Sequence, residues 1–263
     1  MKSPAAAALL LALTLPVQAA DEGHAPHWGY GEGDGPARWA QLNPEWATCN
    51  SGRRQSPIDL HQAKATEKEP LRFSYRPASF QIARHEHVLD FLDNGHTVQV
   101  NWDEGSNARV GDHEYPLVQF HFHAPSEHTV DGKHFPMELH LVHQDADGNL
   151  AVVGVLIEEG AKNAAYDVIW SNLPEAPGET RHLEDVILEV DELVPDAGGT
   201  WRYEGSLTTP PCSEGVRWFV TERPVSLSKE QIAAFTSHYS SNNRPVQPTN
   251  NRIVLEVSGP DEG

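Results

Sequence analysis

Three histidines and their neighbours dominate the chemistry this sequence offers. They lie in Gln119-Phe-His-Phe-His-Ala-Pro-Ser-Glu-His128 and in Glu138-Leu-His-Leu-Val-His143. Both segments read as strands, in which alternate side chains share a face, so Gln119, His121 and His123 point one way, as do Glu138, His140 and Val142. Pairing the two strands brings His121, His123 and His140 together as three neutral nitrogen ligands. Structural zinc sites close with four protein ligands, mostly cysteine, whereas three histidines leave the fourth tetrahedral position to water, which is a catalytic arrangement. Gln119 and Glu138 sit two residues from ligands and face the same way, so each is placed to accept the free ring N–H of its neighbour and fix that ring. The chain has 15 histidines, and a lone His-x-His on an apolar strand carries little weight. The third histidine and two acceptors in phase with the ligands make the case. His85, His87, His113, His128, His134, His143, His182 and His238 read as surface or satisfied core residues.

The elements that must position these groups are mostly strands. Runs rich in β-branched and aromatic residues recur between Gly, Pro and Asn-Gly breaks at Leu71–Tyr75, His87–Leu92, Thr97–Trp102, Leu117–His123, Met137–His143, Leu150–Glu158, Trp201–Ser206 and Val216–Thr221, which predicts a mainly β protein. Asp147-Gly148-Asn149 is a hairpin signal that sets the His140 strand antiparallel to the Leu150 strand. Asn163–Asn172 and Ser228–Tyr239 have helical spacing, the second with a Ser228 cap and Gln231 three residues on. Leu183–Val190 is ambiguous. Residues 21–60, rich in Gly and Pro and carrying Trp28, Trp39 and Trp46, read as an irregular segment pinned by aromatics.

Lys2, the apolar run Ala5–Leu15 and the small-residue pattern Val17-Gln-Ala19 read as a secretory signal peptide over residues 1–19, with cleavage after Ala20 as the alternative. No later run approaches the roughly 18 apolar residues needed to span a bilayer. The expected product is an exported protein, periplasmic or secreted, whose residues 20–263 form one large single-core domain. Losing Lys2 makes the formal charge of −19 one unit more negative, which argues against nucleic acid or anionic membrane as partners. A homodimer is compatible with the sequence. The two cysteines, Cys49 and Cys212, favour a disulfide in an exported chain, and closing so long a loop is worth at most about 5 kcal/mol in the chain-entropy model. Such a bridge would immobilise Leu207-Thr208-Thr209, just before Cys212.

Taken together, His27-Trp-Gly-Tyr30, Gln55-Ser-Pro-Ile58, Asn94-Gly-His96, the two histidine strands, Glu158-Glu-Gly160, Gly205-Ser-Leu-Thr-Thr-Pro-Pro-Cys212 and Asn243-Arg-Pro-Val-Gln-Pro248 resemble the α-class carbonic anhydrases, in particular their secreted bacterial members. The resemblance covers nearly all of the chain beyond the leader. It implies a large, mostly antiparallel twisted central sheet of about ten strands with a few short peripheral helices, one zinc ion per chain, and a Cys49–Cys212 disulfide. It also implies reversible hydration of carbon dioxide to bicarbonate and a proton by attack of zinc-bound hydroxide. By the same resemblance Thr208 accepts the hydroxide proton and donates its own to Glu127, and an ionised Glu127 can only accept, which enforces that direction. Thr209 lines the cleft, and Val142, Val152, Leu207 and Trp218 form an apolar wall for carbon dioxide. His96 takes the place of the family's proton shuttle, a role suited to a side chain titrating near neutrality. Tyr30, Asn94 and Gln99 match residues that order water, although fast members of the family carry asparagine where this chain has Gln99.

Two other readings are weaker. His121-x-His123 with Glu127 imitates the first metal motif of a cupin, but the glycine spacing is wrong and His182 does not fit that fold's last ligand. A metal-free binding domain on the carbonic anhydrase fold would be expected to have lost a ligand, whereas all three stand here.

Overall fold

The computed structural model describes residues 27–259 apart from 62, 67, 76–88, 94–95, 103–104, 176–178, 184–186, 189 and 196–197. The leader read in residues 1–19 and the positions of Asn94, His85 and His87 lie outside the described residues. No described helix is long and apolar enough to cross a membrane.

Ten strands form the continuous path of the main sheet. Their order is Thr180–Leu183, Leu89–Asp93, Val98–Asn101, His113–His123, Met137–Gln144, Leu150–Glu159, Glu214–Thr221, Thr200–Ser206, Leu255–Val257 and Lys64–Thr66. Most pairs are antiparallel, but Leu150–Glu159 runs parallel to Glu214–Thr221, and Leu255–Val257 runs parallel to Lys64–Thr66. The predicted hairpin joins Met137–Gln144 to Leu150–Glu159. Gly148 turns there with φ +84°, and Asp145 Oδ1 accepts from the backbone N–H groups of Asp147 and Asn149.

The sheet separates two apolar clusters. Phe120, Phe122, Leu139, Leu141, Val153 and Val155 belong to the larger, while Val152, Leu156, Tyr203, Val216 and Trp218 belong to the other. Two short helices cover the larger cluster with Tyr166, Ile169 and Phe235. Ala164–Trp170 is capped by Asn163, and Lys229–Thr236 opens with the expected Ser228/Gln231 capping box. Both stop short of the ends read from sequence. Where Leu183–Val190 was ambiguous, the strand Thr180–Leu183 ends and a 3-10 turn begins at Val190.

The segment after residue 27 contains Trp39–Leu42, a 3-10 turn at Pro44–Trp46, and Thr48–Ser51. Trp39, Trp46 and the Cys49–Cys212 disulfide form a third buried cluster flanked by Trp28 and Tyr30. Aromatics therefore pin this region, and the bridge ties it to the loop carrying Thr208.

One irregularity corrects a simple alternation. Tyr115 and Leu117, at odd positions, face the larger core, yet so do Phe120 and Phe122, at even positions. The register slips at Val118, which is 43% exposed: Val142 pairs with Gln119 but His143 pairs with Leu117. The extra residue is a β-bulge, and it flips the face of everything after it. Without it Gln119, His121 and His123 would point into the apolar core.

Candidate metal centre

Beyond the bulge the two ligand strands align so that His140 is opposite His121 and Glu138 is opposite His123. Each histidine has one ring nitrogen committed to an acceptor. His121 Nδ1 donates to Gln119 Oε1 at 2.8 Å, His123 Nδ1 to the Asn242 carbonyl at 2.7 Å, and His140 Nε2 to Glu138 Oε1 at 2.9 Å. That leaves His121 Nε2, His123 Nε2 and His140 Nδ1 as the free atoms. One candidate ligand atom from each ring lies within 4.8 Å of the others, and His123 Nε2 is buried with no hydrogen-bond partner. A buried, unpartnered nitrogen flanked by two more with fixed tautomers is what a three-histidine metal site requires. Burial, reinforced by the neighbouring rings, holds His121 well below the ordinary histidine range, and burial also lowers His123, so both are kept neutral as ligands must be.

Gln119 and Glu138 do what their phase suggested. The third acceptor, the Asn242 carbonyl, was missed, because a backbone oxygen leaves no mark in a sequence. Asn242 does more with its side chain: Oδ1 accepts from Ala124 N, and Nδ2 donates to the carbonyls of Phe122 and His96, each within 3.0 Å. His128 was read as surface or satisfied core. It is a fully buried, satisfied residue, and it shares Glu138 with the ligand: His128 Nδ1 lies 2.7 Å from the same Oε1 that holds His140. Glu138 Oε2 also accepts the backbone N–H groups of Glu127 and His128. Burial alone would raise this carboxyl, but the His128 and His140 rings and their hydrogen bonds hold it well below the usual range. From His128 Nε2 the network continues to Tyr203 and Ser56.

Gly154 faces His140 across the strand pair, and a Cβ there would come within 2.9 Å of Glu138 Oε1. Only glycine leaves room for the carboxylate.

Glu127 is fully buried. Its Oε1 accepts from Arg244 N at 2.7 Å, while Oε2 has no hydrogen-bond partner and lies 3.7 Å from His123 Nε2 and 3.9 Å from His140 Nδ1, over the free ligand atoms. Thr208, 5% exposed, sits between Leu207, whose N–H bonds Ser213 O, and Thr209, whose carbonyl accepts from Cys212 N. No hydrogen bond joins Thr208 to Glu127.

Val142, Val152, Leu207 and Trp218 come together in one apolar cluster, and the Trp218 ring lies 4.9 Å from that of His140. This cluster thus abuts His140. His96 and Tyr30 line one cavity of about 480 Å3 with Asn242, and the His96 ring stacks on Trp28 at 3.7 Å. Gln99 is in register with His121 and donates to Asn101 Oδ1.

The arrangement is a group of three histidines that could hold a metal ion, beside an apolar cluster. Residues 34–258 match the family model described as eukaryotic-type carbonic anhydrase. A carbonic anhydrase from Pectobacterium carotovorum is 40% identical over 257 residues, covering 97% of this chain and all of that protein. Among solved structures, the α-carbonic anhydrase of Thermovibrio ammonificans in complex with the inhibitor sulfanilamide aligns with a TM-score of 0.80 at 41% identity, covering 88% of this chain and all of that one. A hyperthermostable carbonic anhydrase from an active hydrothermal vent chimney aligns with the same TM-score and coverage at 44% identity. This chain belongs to the α-class, or eukaryotic-type, carbonic anhydrase family.

Proposed function

We propose that the chain hydrates carbon dioxide reversibly to bicarbonate and a proton at one zinc ion held by His121 Nε2, His123 Nε2 and His140 Nδ1. The observation that carries this is the set of three free ring nitrogens, each opposite a nitrogen already bonded to a fixed acceptor. A zinc ion held there would supply Lewis-acid chemistry that makes water a nucleophile near neutral pH.

The chain's own residues then select and orient. Glu127 Oε2 is a buried acceptor awaiting a donor, and the donor we assign to it, from the family resemblance, is the Thr208 hydroxyl. Once Thr208 donates to Glu127, its oxygen has only lone pairs to offer, so it accepts the proton of the attacking oxygen and turns that atom's own lone pair toward substrate. Thr209 borders the same cleft. Val142, Val152, Leu207 and Trp218 hold carbon dioxide by apolar contact, which suits a substrate without charge or dipole. His96 exchanges the released proton with solvent across the cavity it shares with Tyr30. By family resemblance Asn94 and Gln99 help to order water on that route.

Export to the periplasm or medium fits the leader pattern together with the Cys49–Cys212 bridge, a kind of cross-link favoured in oxidising compartments. Stopped-flow carbon dioxide hydration by the mature chain, zinc-loaded and chelator-stripped, tests the reading. Fast turnover lost on stripping and restored by zinc supports it; stoichiometric zinc binding without hydration would overturn it. In weak buffer, His96→Ala is expected to slow turnover and added imidazole to restore it.

A further inference from the structure

The sheet face opposite the histidines carries a second cavity, of about 410 Å3, lined by residues of Thr200–Ser206, Glu214–Thr221 and Leu255–Val257 together with Lys68, Val110 and Ile253. None of the three histidines lines this cavity: Phe219, of the larger core, and Arg202, stacked over its ring at 5.2 Å, face it, while Tyr203 and Trp218, of the cluster on the histidine side, border it. The volume is that of a small-molecule site.

Its charge is anomalous for this protein. On a chain with formal charge −19, Lys68, Arg202 and Arg217 all line this cavity, and none has an ion-pair partner among the described residues. Arg202 is only 8% exposed. Its Nε donates to Thr200 Oγ1 and its Nη1 to the Glu69 carbonyl, while Nη2 is buried without a partner. Burial, with no carboxylate to oppose it, lowers this guanidinium to about 10, so it stays charged at neutral pH. A buried charge without a counter-charge is costly, and an anion in the adjoining cavity would relieve that cost. Arg217 lies beside it, donating one N–H to the Tyr115 hydroxyl. Glu204, the one acidic residue of the lining, is the cross-strand neighbour of Arg217 and pairs with Arg54 at 3.1 Å. The rest of the lining is apolar, including Leu255 and the 65% exposed Ile253.

We infer that this cavity binds a small organic carboxylate, with its anionic head among Arg202, Arg217 and Lys68 and its apolar body against Phe219, Ile253 and Leu255. Guanidinium groups suit a planar carboxylate, and the exposed isoleucine gains a partner that water does not provide.

Benzoate is a suitable probe and benzamide its uncharged counterpart. Titrating either into the zinc-loaded protein at constant ionic strength, while following the methyl signals of Ile253 and Leu255 by NMR, separates this cavity from benzoate held at the histidine face. Expected are saturable shifts of those methyls with benzoate, affinity at least about tenfold weaker for benzamide, and a similar loss in the Arg202→Gln/Arg217→Gln variant, about 1.4 kcal/mol each. Because Arg202 is buried and that variant can fail to fold, Ile253→Glu is the second probe: an exposed position that keeps the fold and carbon dioxide hydration but repels the carboxylate. Methyl signals that do not saturate by about 10 mM benzoate, equal affinity for benzamide, or unchanged binding in Ile253→Glu would each overturn the inference.

Discussion

On one face of the strands His113–His123 and Met137–Gln144, Phe120, Phe122, Leu139 and Leu141 lie in the larger apolar core; on the other, His123, Glu138 and His140 are equally buried yet polar. The first face is held by area removed from water, which has no direction and tolerates repacking. The second is held by bonds of fixed geometry, and Glu138 alone takes part in four of them. Two of the few buried side-chain atoms left without a partner, His123 Nε2 and Glu127 Oε2, lie 3.7 Å apart on this second face. Reactivity is thus concentrated where satisfaction stops, and that holds only because everything around it is satisfied.

Adjacent residues break the comparison most sharply. Phe122→Ala is expected to cost about 3–5 kcal/mol in the unfolding of the metal-free protein while leaving zinc affinity nearly intact. His123→Ala should cost less, about 1–3 kcal/mol for the stranded Asn242 carbonyl, yet abolish zinc binding and hydration. Denaturant unfolding beside a competitive zinc titration measures both, and equal effects on stability and affinity in the two variants would erase the distinction.

His143 is the polar exception near the core face, bonded to the Tyr75 hydroxyl at 3.0 Å, and burial lowers its pKa to about 4. The folded chain therefore refuses a proton that the unfolded chain takes below about pH 6.5. Stability is expected to fall as pH drops from 6.5 to 4, by up to about 3 kcal/mol from this residue, with none of that loss at pH 7. His143→Gln in the metal-free protein should flatten the slope; an unchanged slope would assign the acid sensitivity elsewhere.

Gly154→Ala places a methyl 2.9 Å from Glu138 Oε1 and should cost about 1–3 kcal/mol, lowering zinc affinity as well because the carboxylate that orients His140 must move. Gln119→Ala removes only one acceptor and should reduce zinc affinity about 10–100-fold with little change in apo stability. A core-like result for Gln119, stability lost and affinity kept, would contradict the division of the two faces.

Spacing exposed the clustering of His121, His123 and His140 with Gln119 and Glu138, because a strand of period two writes its faces into consecutive residues. The hairpin at Gly148 and the capping box at Ser228 were equally local and equally legible. The bulge at Val118 was not: it depends on pairing with two different partners, and nothing in the residues 117–123 marks that Leu117 faces the core while Gln119, two positions on, faces the histidine side. Nor was the Asn242 carbonyl, which reaches His123 across 119 positions of sequence. The roles given to Thr208, Glu127 and His96 rest on resemblance to a family, since neither spacing nor residue type distinguishes those three from ordinary polar residues. The parallel junction between Leu150–Glu159 and Glu214–Thr221, which sets Val152 beside Trp218, is likewise a tertiary fact.

Asn242 can be viewed as a machinist's jig. Its main chain locates one ligand ring, while its amide clamps the backbone at Phe122, Ala124 and His96. The span between His123 and His96 is therefore cut to length by a single part, and retooling that part would shift both histidines in the same stroke.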